Sequence, residues 1–496
     1  MAVEHFDVLI IGAGLSGIAA AYYLQSRRPE RTFAIVEARE AIGGTWDLFR
    51  YPGVRSDSDL YTFGFSFAPW RDKNSIAGGP LILDYLRETA GKFGICQKIR
   101  FKQKVTGAAW DTSRSQWTVD VKAGAEEAPV RYTANFLYLC TGYYDFDEGY
   151  LPSWPDMDKY RGAFVHPQVW PKSLDYAGRK LIVIGSGATA VTLVPAMAPL
   201  AAHVTMLQRS PTYIVALPAE DRIANWLRRS LPERFAHGLS RWKNILLTMF
   251  FYNMARLRPK ATKQQILRLA KSQLAPEFDA EQHLSPRYNP WDQRLCLVPD
   301  GDLFKAISSG RVSIVTGEIA AFTEKGILTR SGEELEADII VTATGLKLKL
   351  LGGIQLTLDG KAPDLTKSLI YKGMMLSDVP NLAYSLGYTN ASWTLKCELI
   401  ARYVCRILKH MKKHGYSVAT PRVHGNISEE PAIGLTSGYV QRALPDLPKQ
   451  GSKRPWKLYQ NYALDLVTLR FGPVEDGTME FTVSKPPSTL PERALR

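Results

Sequence analysis

Phe6-Asp7-Val8-Leu9-Ile10-Ile11 leads directly into Gly12-Ala13-Gly14-Leu15-Ser16-Gly17, so an apolar run is followed at once by a glycine-rich turn. The run is short and rich in β-branched residues, which predicts a buried parallel strand, and the alanine-rich residues 18–25 predict a helix. Glycines in such a turn let the backbone approach a pyrophosphate, which lies at the positive N-terminus of the helix. We therefore predict a dinucleotide-binding fold in which Gly12, Gly14, Ser16 and Gly17 bind the cofactor.

Glu37 indicates which kind of nucleotide this fold accepts. It ends the second predicted strand, residues 32–36, and stands twenty residues after Gly17. A carboxylate at this place binds both ribose hydroxyls and repels a 2′-phosphate. The alternative is a glycine-rich turn within an unrelated α/β fold. Here, however, the strand, the helix and the acid all occupy the positions that the dinucleotide-binding motif requires.

A second unit near the middle of the chain repeats the design. Lys180-Leu181-Ile182-Val183-Ile184 predicts the strand, and Gly185-Ser186-Gly187-Ala188-Thr189-Ala190 forms the turn, with Ala190 as a tolerated replacement for the third glycine. The next predicted strand, residues 203–208, ends in Arg209 and Ser210 instead of an acid. A guanidinium and a hydroxyl can hold the 2′-phosphate of NADPH. The alternative for Arg209 is an ordinary solvated charge.

The contrast between the two units predicts FAD in the first fold and NADPH in the second. Two further predicted strands end in Thr-Gly, at Gly142 and at Gly345. Glycine suits a place where the backbone turns sharply beside a ligand. We expect the chain to cross between the two nucleotide-binding domains at these points and both glycines to lie near the cofactors.

Composition excludes several other classes of protein. The five cysteines form no C-x-x-C pair, which argues against a disulfide framework, a zinc site and a disulfide reductase. No metal is expected. The formal net charge of +14 favours anionic ligands, for which dinucleotides suffice, and no nucleic-acid motif is present. Because there is no signal-peptide pattern and no apolar run long enough to span a bilayer, we expect a cytoplasmic location.

Three signatures resemble a known family. Tyr160-Arg161-Gly162-Ala163-Phe164-Val165-His166-Pro167-Gln168-Val169-Trp170-Pro171 is similar to the F-x-G-x-x-x-H-x-x-x-W-P fingerprint of flavoprotein monooxygenases, with Tyr160 in the place of Phe. Gly43-Gly44-Thr45-Trp46, continued by Tyr51-Pro52-Gly53 and Asp57, matches a pattern of the Baeyer–Villiger branch. Tyr288-Asn289-Pro290-Trp291-Asp292-Gln293-Arg294, with Gly387-Tyr388-Thr389-Asn390-Ala391-Ser392-Trp393, resembles the ethionamide-activating subgroup of that branch.

The resemblance implies a fold and a domain plan. The implied fold class is α/β, with two Rossmann-like dinucleotide-binding domains, for FAD and NADPH, and a helical insertion. The FAD domain would comprise residues 1–145 and 346–496, and the NADPH domain residues 146–215, which include the linker, and 288–345. Residues 216–287 would form the helical insertion.

The resemblance also implies the chemistry. NADPH would reduce the FAD, and a C4a-peroxyflavin would then insert oxygen into ketones and oxidise sulfides or thioamides. Arg294 matches the family's active-site arginine, a permanent cation that can stabilise an oxyanion, and Asp57 matches the carboxylate that positions it. An ordinary ion pair is the alternative for these two residues. Gly44, Thr45 and Trp46 match flavin-binding positions, whereas His166 is expected to be structural and to lie on a linker between the domains.

Two alternative functions remain open. An N- or S-oxygenating enzyme would share the fold but use an electrophilic hydroperoxyflavin, and Arg294 together with the Trp170-Pro171 ending favours the ketone chemistry instead. A non-catalytic redox sensor would bind the same cofactors, but the complete set of active-site motifs argues against it.

The segment 222–271 is basic and has an apolar centre. Its centre is Ile245-Leu246-Leu247-Thr248-Met249-Phe250-Phe251-Tyr252, and Glu233 is its only carboxylate. Basic residues around an apolar helix suit the surface of an anionic membrane, so one interpretation is peripheral association with the inner face of the cell membrane. The other is a helical lid whose apolar face packs on the NADPH domain.

Overall fold

Two α/β units, each built on a mainly parallel sheet, make up the structure, a computed structural model that describes residues 3–483. This is the predicted fold class. Residues 1–2 and 484–496 lie outside the described part, and the second of these segments is the end of the predicted FAD-binding region 346–496.

The first unit begins with the predicted strand, turn and helix. Its strands in chain order are β1 Glu4–Ile11, β2 Phe33–Val36, β3 Ile99–Arg100, β4 Gln103–Asp111, β5 Gln116–Ala123, β6 Ala128–Leu139 and β7 Tyr144–Gly149. Its helices are α1 Leu15–Arg27, α2 Thr45–Leu48, α3 Leu60–Phe63 and α4 Gly79–Lys92. Strand β1 pairs in parallel with β2 and β6, so Val8 lies opposite both Phe33 and Phe136. Burial on both faces explains why these strands are continuous apolar runs.

The second unit is a sheet of five parallel strands in the order β13-β10-β9-β17-β8. The strands of this region are β8 Ala163–Val165, β9 Lys180–Ile184, β10 His203–Gln208, β11 Ile214–Leu217, β12 Cys296–Pro299, β13 Val312–Thr316, β14 Ile319–Phe322, β15 Gly326–Thr329, β16 Glu334–Glu336 and β17 Ile339–Thr342. The helices are α5 Ala188–Met197, α6 Arg222–Ser230, α7 Glu233–Leu257, α8 Pro259–Lys271, α9 Ala280–Leu284 and α10 Asp302–Ser308. The second glycine-rich turn connects strand β9 to helix α5.

The last third of the chain returns to the first sheet. Its strands are β18 Leu346–Leu348, β19 Gln355–Leu358, β20 Ile370–Tyr371, β21 Met375–Leu376, β22 Leu382–Tyr384, β23 Val418–Pro421, β24 Glu429–Pro431, β25 Lys449–Gly451 and β26 Met479–Thr482. Its helices are α11 Trp393–His414, α12 Gly438–Ala443 and α13 Tyr462–Asp465. Strand β22 pairs in parallel with β6, and β19 pairs in parallel with β4. Helix α11 packs against α1, and the two share one hydrophobic core.

The two segments that connect the units pair with each other. Strand β7 follows Gly142 and strand β18 follows Gly345, and they form an antiparallel ribbon in which Gly149 lies opposite Leu346. The chain thus leaves the first sheet and returns to it through one two-stranded connection.

Helices α6 to α9 form the helical insertion. Helix α7 packs its inner face against α3, and its buried Ile245 contacts Tyr388 and Leu395. The apolar side chains on its opposite face are exposed. The lid interpretation, in which an apolar face packs on the NADPH domain, therefore does not describe α7. Among residues 3–483, no helix has the length and apolar character needed to cross a membrane.

Candidate active site

The first glycine-rich turn leaves room only for glycine at Gly12 and Gly17. Gly12 has a φ of +106°, and a Cβ there would lie 2.5 Å from the carbonyl oxygen of Cys140. A Cβ on Gly17 would overlap the carbonyl oxygen of Gly12, which shows how closely α1 approaches β1. Gly14 lies beside Gly44, and a Cβ on Gly14 would make only ordinary contacts with the Gly44 backbone, the nearest being its Cα at 3.6 Å. The backbone therefore borders the cleft without side chains in the way.

Glu37 lies at the carboxyl end of β2 and lines the same cleft. Its carboxylate accepts the backbone N–H of Ala13 at 2.6 Å and that of Arg39 at 2.8 Å. Burial raises the pKa of Glu37, and the two N–H donors oppose this only in part. The carboxylate is thus fixed beside the turn, where it could bind the ribose hydroxyls of a dinucleotide.

The cleft runs from this turn toward the second unit and has a volume of about 530 Å³. The predicted residues that line it are Gly12, Gly14, Ser16, Glu37, Gly44, Thr45, Trp46, Asp57, Gly142, Ala188, Thr189 and Arg294. The Ser16 hydroxyl accepts a hydrogen bond from Trp393 Nε1 at 3.1 Å, which ties α1 to the start of α11. Trp46 packs edge-on against Phe63, with ring centroids 5.6 Å apart.

The second turn repeats the geometry of the first. Gly185 has a φ of +133°, and a Cβ there would overlap the carbonyl oxygen of Ala343. Gly187 faces open space, since nothing lies within 4 Å of an added Cβ. The Ser186 hydroxyl donates to the carbonyl oxygen of Ser210 at 2.9 Å, so the turn contacts the end of β10 where Arg209 lies exposed. Gly345 has a φ of +106° and begins the returning connection.

Not all predicted NADPH-binding residues line the cleft. Ala188 and Thr189, at the N-terminus of α5, line it together with the first turn. Gly185, Ser186, Gly187, Arg209, Ser210 and Gly345 are absent from its lining. A nucleotide on the second turn would therefore reach the cleft past the N-terminus of α5 and extend away from it toward Arg209.

Arg294 and Asp57 are brought together although 237 positions separate them in the chain. Arg294 Nη1 donates to Asp57 Oδ2 at 2.9 Å, while Arg294 Nε is buried and has no hydrogen-bond partner among the described residues. Burial alone would lower the pKa of Arg294, but Tyr143 and Asp57 outweigh it, and the pKa is raised well above its usual value. The guanidinium therefore keeps its charge and a free donor at the centre of the site.

Arg294 lies where the large cleft meets a smaller cavity of about 40 Å³. Four residues border both spaces, namely Tyr143, Arg294, Tyr388 and Trp393. The small cavity continues between Leu386, Tyr439 and Leu458. A small substrate in this cavity would be in contact with the guanidinium and with the cleft at once.

Three tyrosines around Arg294 were not predicted. The Tyr143 and Tyr144 hydroxyls lie 2.7 Å apart, and the ring of Tyr143 stacks on Trp393 with centroids 5.0 Å apart. Burial raises the pKa of Tyr143 well above its usual value and that of Tyr144 to about 12. Burial also raises the pKa of Tyr439, so all three phenols stay protonated at neutral pH. The sequence signal for Tyr143 and Tyr144 was the Tyr-Tyr pair directly after Gly142, whereas no signal marked Tyr439.

The Baeyer–Villiger signature at residues 51–57 also serves as a contact between the units. Arg55 Nη1 forms an ion pair with Asp302 Oδ2 at 2.5 Å, across the boundary between the units. Gly53 has a φ of +76°, and a Cβ there would lie 2.5 Å from Ala196 Cβ of α5. The loop that carries Asp57 is thus packed on the second unit, which holds Asp57 in reach of Arg294.

His166 directly follows β8 of the second sheet and lies outside the cleft lining. Its Nδ1 accepts the backbone N–H of Gln168 at 3.2 Å, and its ring packs directly on Gly149 of β7. Burial lowers the pKa of His166, so the imidazole is neutral at pH 7. These contacts agree with a structural position.

The residues present fit the two expected cofactors. Gly12 and Gly14 border the cleft without side chains, and Glu37 lies fixed beside them, which suits the pyrophosphate and ribose of FAD. Gly187 leaves open space over the N-terminus of α5, and Arg209 has no carboxylate partner in the described chain, which suits a nucleotide with a 2′-phosphate.

Comparisons with known proteins support these observations. A profile of the flavin-binding monooxygenase-like family matches residues 6–416. The FAD-containing monooxygenase EthA of Mycobacterium tuberculosis is 51% identical over 480 residues, covering 96% of this chain and 98% of the relative. The probable FAD-binding monooxygenase AlmA of Acinetobacter baylyi is 48% identical over 481 residues and covers 96% of each chain.

Solved structures share the fold. An oxidised steroid monooxygenase bound to NADP aligns with a TM-score of 0.73 at 21% identity, covering 96% of this chain and 99% of the other. The open structure of cyclohexanone monooxygenase aligns with a TM-score of 0.73 at 20% identity, covering 97% and 100%. The predicted fold class and the predicted class of enzyme are confirmed. The chain belongs to the flavin-binding monooxygenase-like family.

Proposed function

We propose that this enzyme is a Baeyer–Villiger-type monooxygenase that uses FAD, NADPH and O2 to convert ketones into esters or lactones. Sulfides and thioamides are proposed as further substrates. The observation that carries this proposal is Arg294, which Asp57 holds at the junction of the cleft and the small cavity. The names of two structural neighbours, a steroid monooxygenase and cyclohexanone monooxygenase, are consistent with ketone substrates.

The residues that would hold FAD are those of the first turn, together with Glu37 and the segment Gly44 to Trp46. The residues that would hold NADPH are those of the second turn, with Arg209 and Ser210 at the 2′-phosphate. When bound and reduced by NADPH, the flavin supplies the activation of molecular oxygen. Everything else in the reaction concerns how the side chains bind, orient and stabilise the substrate.

Arg294 stabilises the negative charge that develops on the ketone oxygen. Attack on a carbonyl carbon produces a tetrahedral adduct with an oxyanion, and a fixed cation beside that oxygen lowers the barrier. Asp57 occupies Nη1 of the guanidinium, and Nε is left without a protein partner. The raised pKa of Arg294 means that the guanidinium is charged at neutral pH.

Tyr143 and Trp393 exclude water from the place where the two spaces meet. Their stacked rings border both the cleft and the small cavity. An apolar wall strengthens the interaction between the guanidinium and an oxyanion because the effective dielectric constant is low there. The protonated hydroxyls of Tyr143 and Tyr144 add neutral donors without adding charge.

We also propose that the enzyme works at the inner face of the cell membrane and is held there peripherally by anionic lipid. The net charge of +14 and the exposed apolar side chains of the helical insertion support this location.

The catalytic proposal is tested with purified enzyme that contains FAD. NADPH should reduce the flavin much faster than NADH, and a cyclic ketone should yield one lactone per NADPH consumed, as measured by mass spectrometry. An enzyme that oxygenates amines and sulfides but never forms an ester would belong to the N- or S-oxygenating alternative. A protein that binds both nucleotides without NADPH turnover would be a sensor, and the proposal would be wrong.

A further inference from the structure

Helices α6 and α7 present an apolar surface to solvent. Of the 24 large hydrophobic side chains that are exposed in the described chain, 11 lie between residues 223 and 257. We define the α6–α7 face by these residues: Ile223, Trp226, Leu231, Phe235, Leu239, Trp242, Leu246, Leu247, Phe250, Phe251 and Leu257. Such a concentration is unusual on a monomeric soluble protein and marks an interaction surface.

The members on α7 follow the period of a helix. Phe235, Leu239, Trp242, Leu246 and Phe250 stand three or four positions apart, so they form one stripe. Phe235 is 69% exposed and Phe250 is 57% exposed. Since α7 has 25 residues, the stripe extends along a helix of about 38 Å. The face is therefore long and aromatic.

Contacts on the opposite side of α7 fix this orientation. Arg241 Nη2 pairs with Glu398 Oε2 of α11 at 2.7 Å, and both side chains are buried. Arg241 Nη1 also donates to the carbonyl oxygens of Tyr61 and Gly64. Asn244 donates to the buried Asp59 at 2.9 Å. A rotation of α7 that buried the apolar stripe would leave the Glu398 and Asp59 carboxylates without these partners, at a large cost in free energy.

Cations surround the α6–α7 face. Six arginines and lysines on α6 to α8 are exposed and have no carboxylate partner within residues 3–483: Arg222, Arg229, Arg234, Arg258, Lys260 and Arg268. The only carboxylate on these three helices, Glu233, is paired with Arg71. The surface thus combines aromatic side chains with unneutralised positive charge.

We propose that the α6–α7 face docks on an anionic lipid surface, with its aromatic side chains in the interfacial layer and its cations on the headgroups. This composition is that of helices that lie in the plane of a membrane. A second copy of the chain is the other natural occupant of an apolar face. A symmetric dimer would place this patch against itself and so bring the unpaired arginines of both copies together, which is unfavourable. Anionic lipid provides both the apolar layer and the opposite charge.

The inference deepens the membrane location proposed above and is independent of the ketone chemistry. The exposed side chains of the face do not line the cleft or the small cavity. Loss of docking should therefore leave the FAD spectrum and the oxidation of NADPH unchanged, and a failed ketone assay would not affect the docking measurement.

The test measures co-sedimentation of the FAD-loaded enzyme with vesicles. Vesicles that contain phosphatidylglycerol in phosphatidylcholine should bind the protein at low salt and release it as salt rises, while pure phosphatidylcholine should bind at least tenfold more weakly. The double variant Phe250→Ser/Phe251→Ser should weaken binding at least tenfold. The double variant Arg229→Gln/Arg234→Gln should weaken binding and flatten its dependence on salt.

Matched control variants test whether the loss of vesicle binding is specific to the α6–α7 face. Val467→Ser/Phe471→Ser removes two exposed apolar side chains elsewhere, and Lys413→Gln/Lys453→Gln removes two exposed cations elsewhere. Both controls should bind like the wild type. The proposal is overturned if the wild type does not bind at low salt, if charged and uncharged vesicles bind equally, or if Phe250→Ser/Phe251→Ser binds normally. It is also overturned if that variant dissociates a dimer seen without lipid by sedimentation velocity, because the face would then be a subunit interface.

Discussion

Arg294 connects the sequence motif with the proposed chemistry because it combines a permanent charge with an unused donor. Asp57 accepts one N–H of its guanidinium, and the Tyr143 ring lies beside it at the cavity wall. An arginine in an ordinary surface pair would have solvent on its remaining donors. Here the Nε atom is buried, and no described residue accepts its hydrogen. Because Arg294 borders both the cleft and the small cavity, donors of its guanidinium that Asp57 does not use can bind a substrate oxygen.

The first prediction concerns Arg294→Ala. Because the guanidinium acts on charge that forms after flavin reduction, NADPH should reduce the variant at the wild-type rate, whereas ester formation should fall by about 10²- to 10³-fold. Asp57→Asn keeps the cation but loosens its position, so a smaller loss is expected. Stopped-flow absorbance measures reduction, and gas chromatography measures the ester. Arg287→Ala, which removes an exposed arginine, is the control. Normal ester formation by Arg294→Ala would show that another group stabilises the oxyanion.

The second prediction concerns Arg209, which lies exposed at the end of β10 beside the second turn. Arg209→Ala should raise the KM for NADPH by about tenfold or more, because a charge-assisted hydrogen bond to the 2′-phosphate is lost. The KM for NADH should change little. Arg179→Ala removes an exposed arginine elsewhere and should affect neither value. Equal changes for both nucleotides would contradict the 2′-phosphate assignment.

At the scale of helices and strands, periodicity and turns predicted some elements better than others. Residues 180–184 and 203–208 are strands as predicted, and the turns after β1 and β9 adopt the glycine geometry that the spacing indicated. These features depend on neighbours along the chain, so a local pattern can reveal them. The antiparallel strands β4 and β5 were not predicted. The family resemblance implied that residues 346–496 return to the first unit, but not that β22 pairs with β6, because pairing across hundreds of residues leaves no local pattern.

Prediction of the active site from the sequence was limited in the same way. The resemblance to the family implied the roles of Arg294 and Asp57, but nothing in the sequence placed Tyr439 beside them. Helix α7 is a second example. Its apolar residues were recognised, yet hydrophobicity alone could not show which side is buried. The outcome depends on Arg241 and Glu398, two charged residues that form a buried pair between distant helices.

The third prediction concerns the anchoring of α7 and its dependence on pH. Burial, with Arg241 nearby, lowers the pKa of His237 on this helix to about 4. The folded protein therefore holds the imidazole neutral, while the unfolded chain binds a proton below pH about 6.5. The free energy of unfolding should fall as the pH drops from about 6.5 to 4, by on the order of 1–2 kcal/mol for this group after solvent screening.

The variant His237→Gln should lose this part of the pH dependence. Urea denaturation at pH 7.5, 6 and 5 measures it as the difference between variant and wild type, which removes the contribution of other titrating groups. His424→Gln, which changes an exposed histidine, should keep the wild-type dependence. If His237→Gln and the wild type lose stability in parallel, His237 is not a source of the acid sensitivity.

At the scale of the whole molecule, the two units are joined by the chain connection between them and by contacts across their boundary. The β7–β18 ribbon carries the chain in both directions, and the Arg55–Asp302 pair joins the units beside the cleft. The cleft itself is lined by both units, since Glu37 comes from the first and Thr189 from the second. The relative position of the units thus determines whether a nicotinamide on the second turn can reach a flavin on the first. A small displacement at the ribbon should change the reaction more than it changes cofactor binding.

The last prediction uses the contact between Gly149 of β7 and His166. A methyl group on Gly149 would overlap the imidazole, so Gly149→Ala should displace the ribbon from the 166 loop. FAD content should stay normal, because neither Gly149 nor His166 lines the cleft. Flavin reduction by NADPH should slow on the order of tenfold or more, since a misplacement of about 1 Å costs up to about 10²-fold in rate.

A second substitution should reverse the effect if the cause is steric. In Gly149→Ala/His166→Ala the imidazole is gone and the methyl group fits, so the reduction rate should recover toward that of His166→Ala alone. Gly91→Ala on α4, where an added Cβ meets nothing within 4 Å, controls for the glycine substitution itself. Stopped-flow absorbance measures flavin reduction by NADPH. The ratio of hydrogen peroxide to ester measures how well the later oxygenation step proceeds. A Gly149→Ala variant that reduces at the wild-type rate would mean that the ribbon tolerates the displacement and that this contact does not set the relative position of the units.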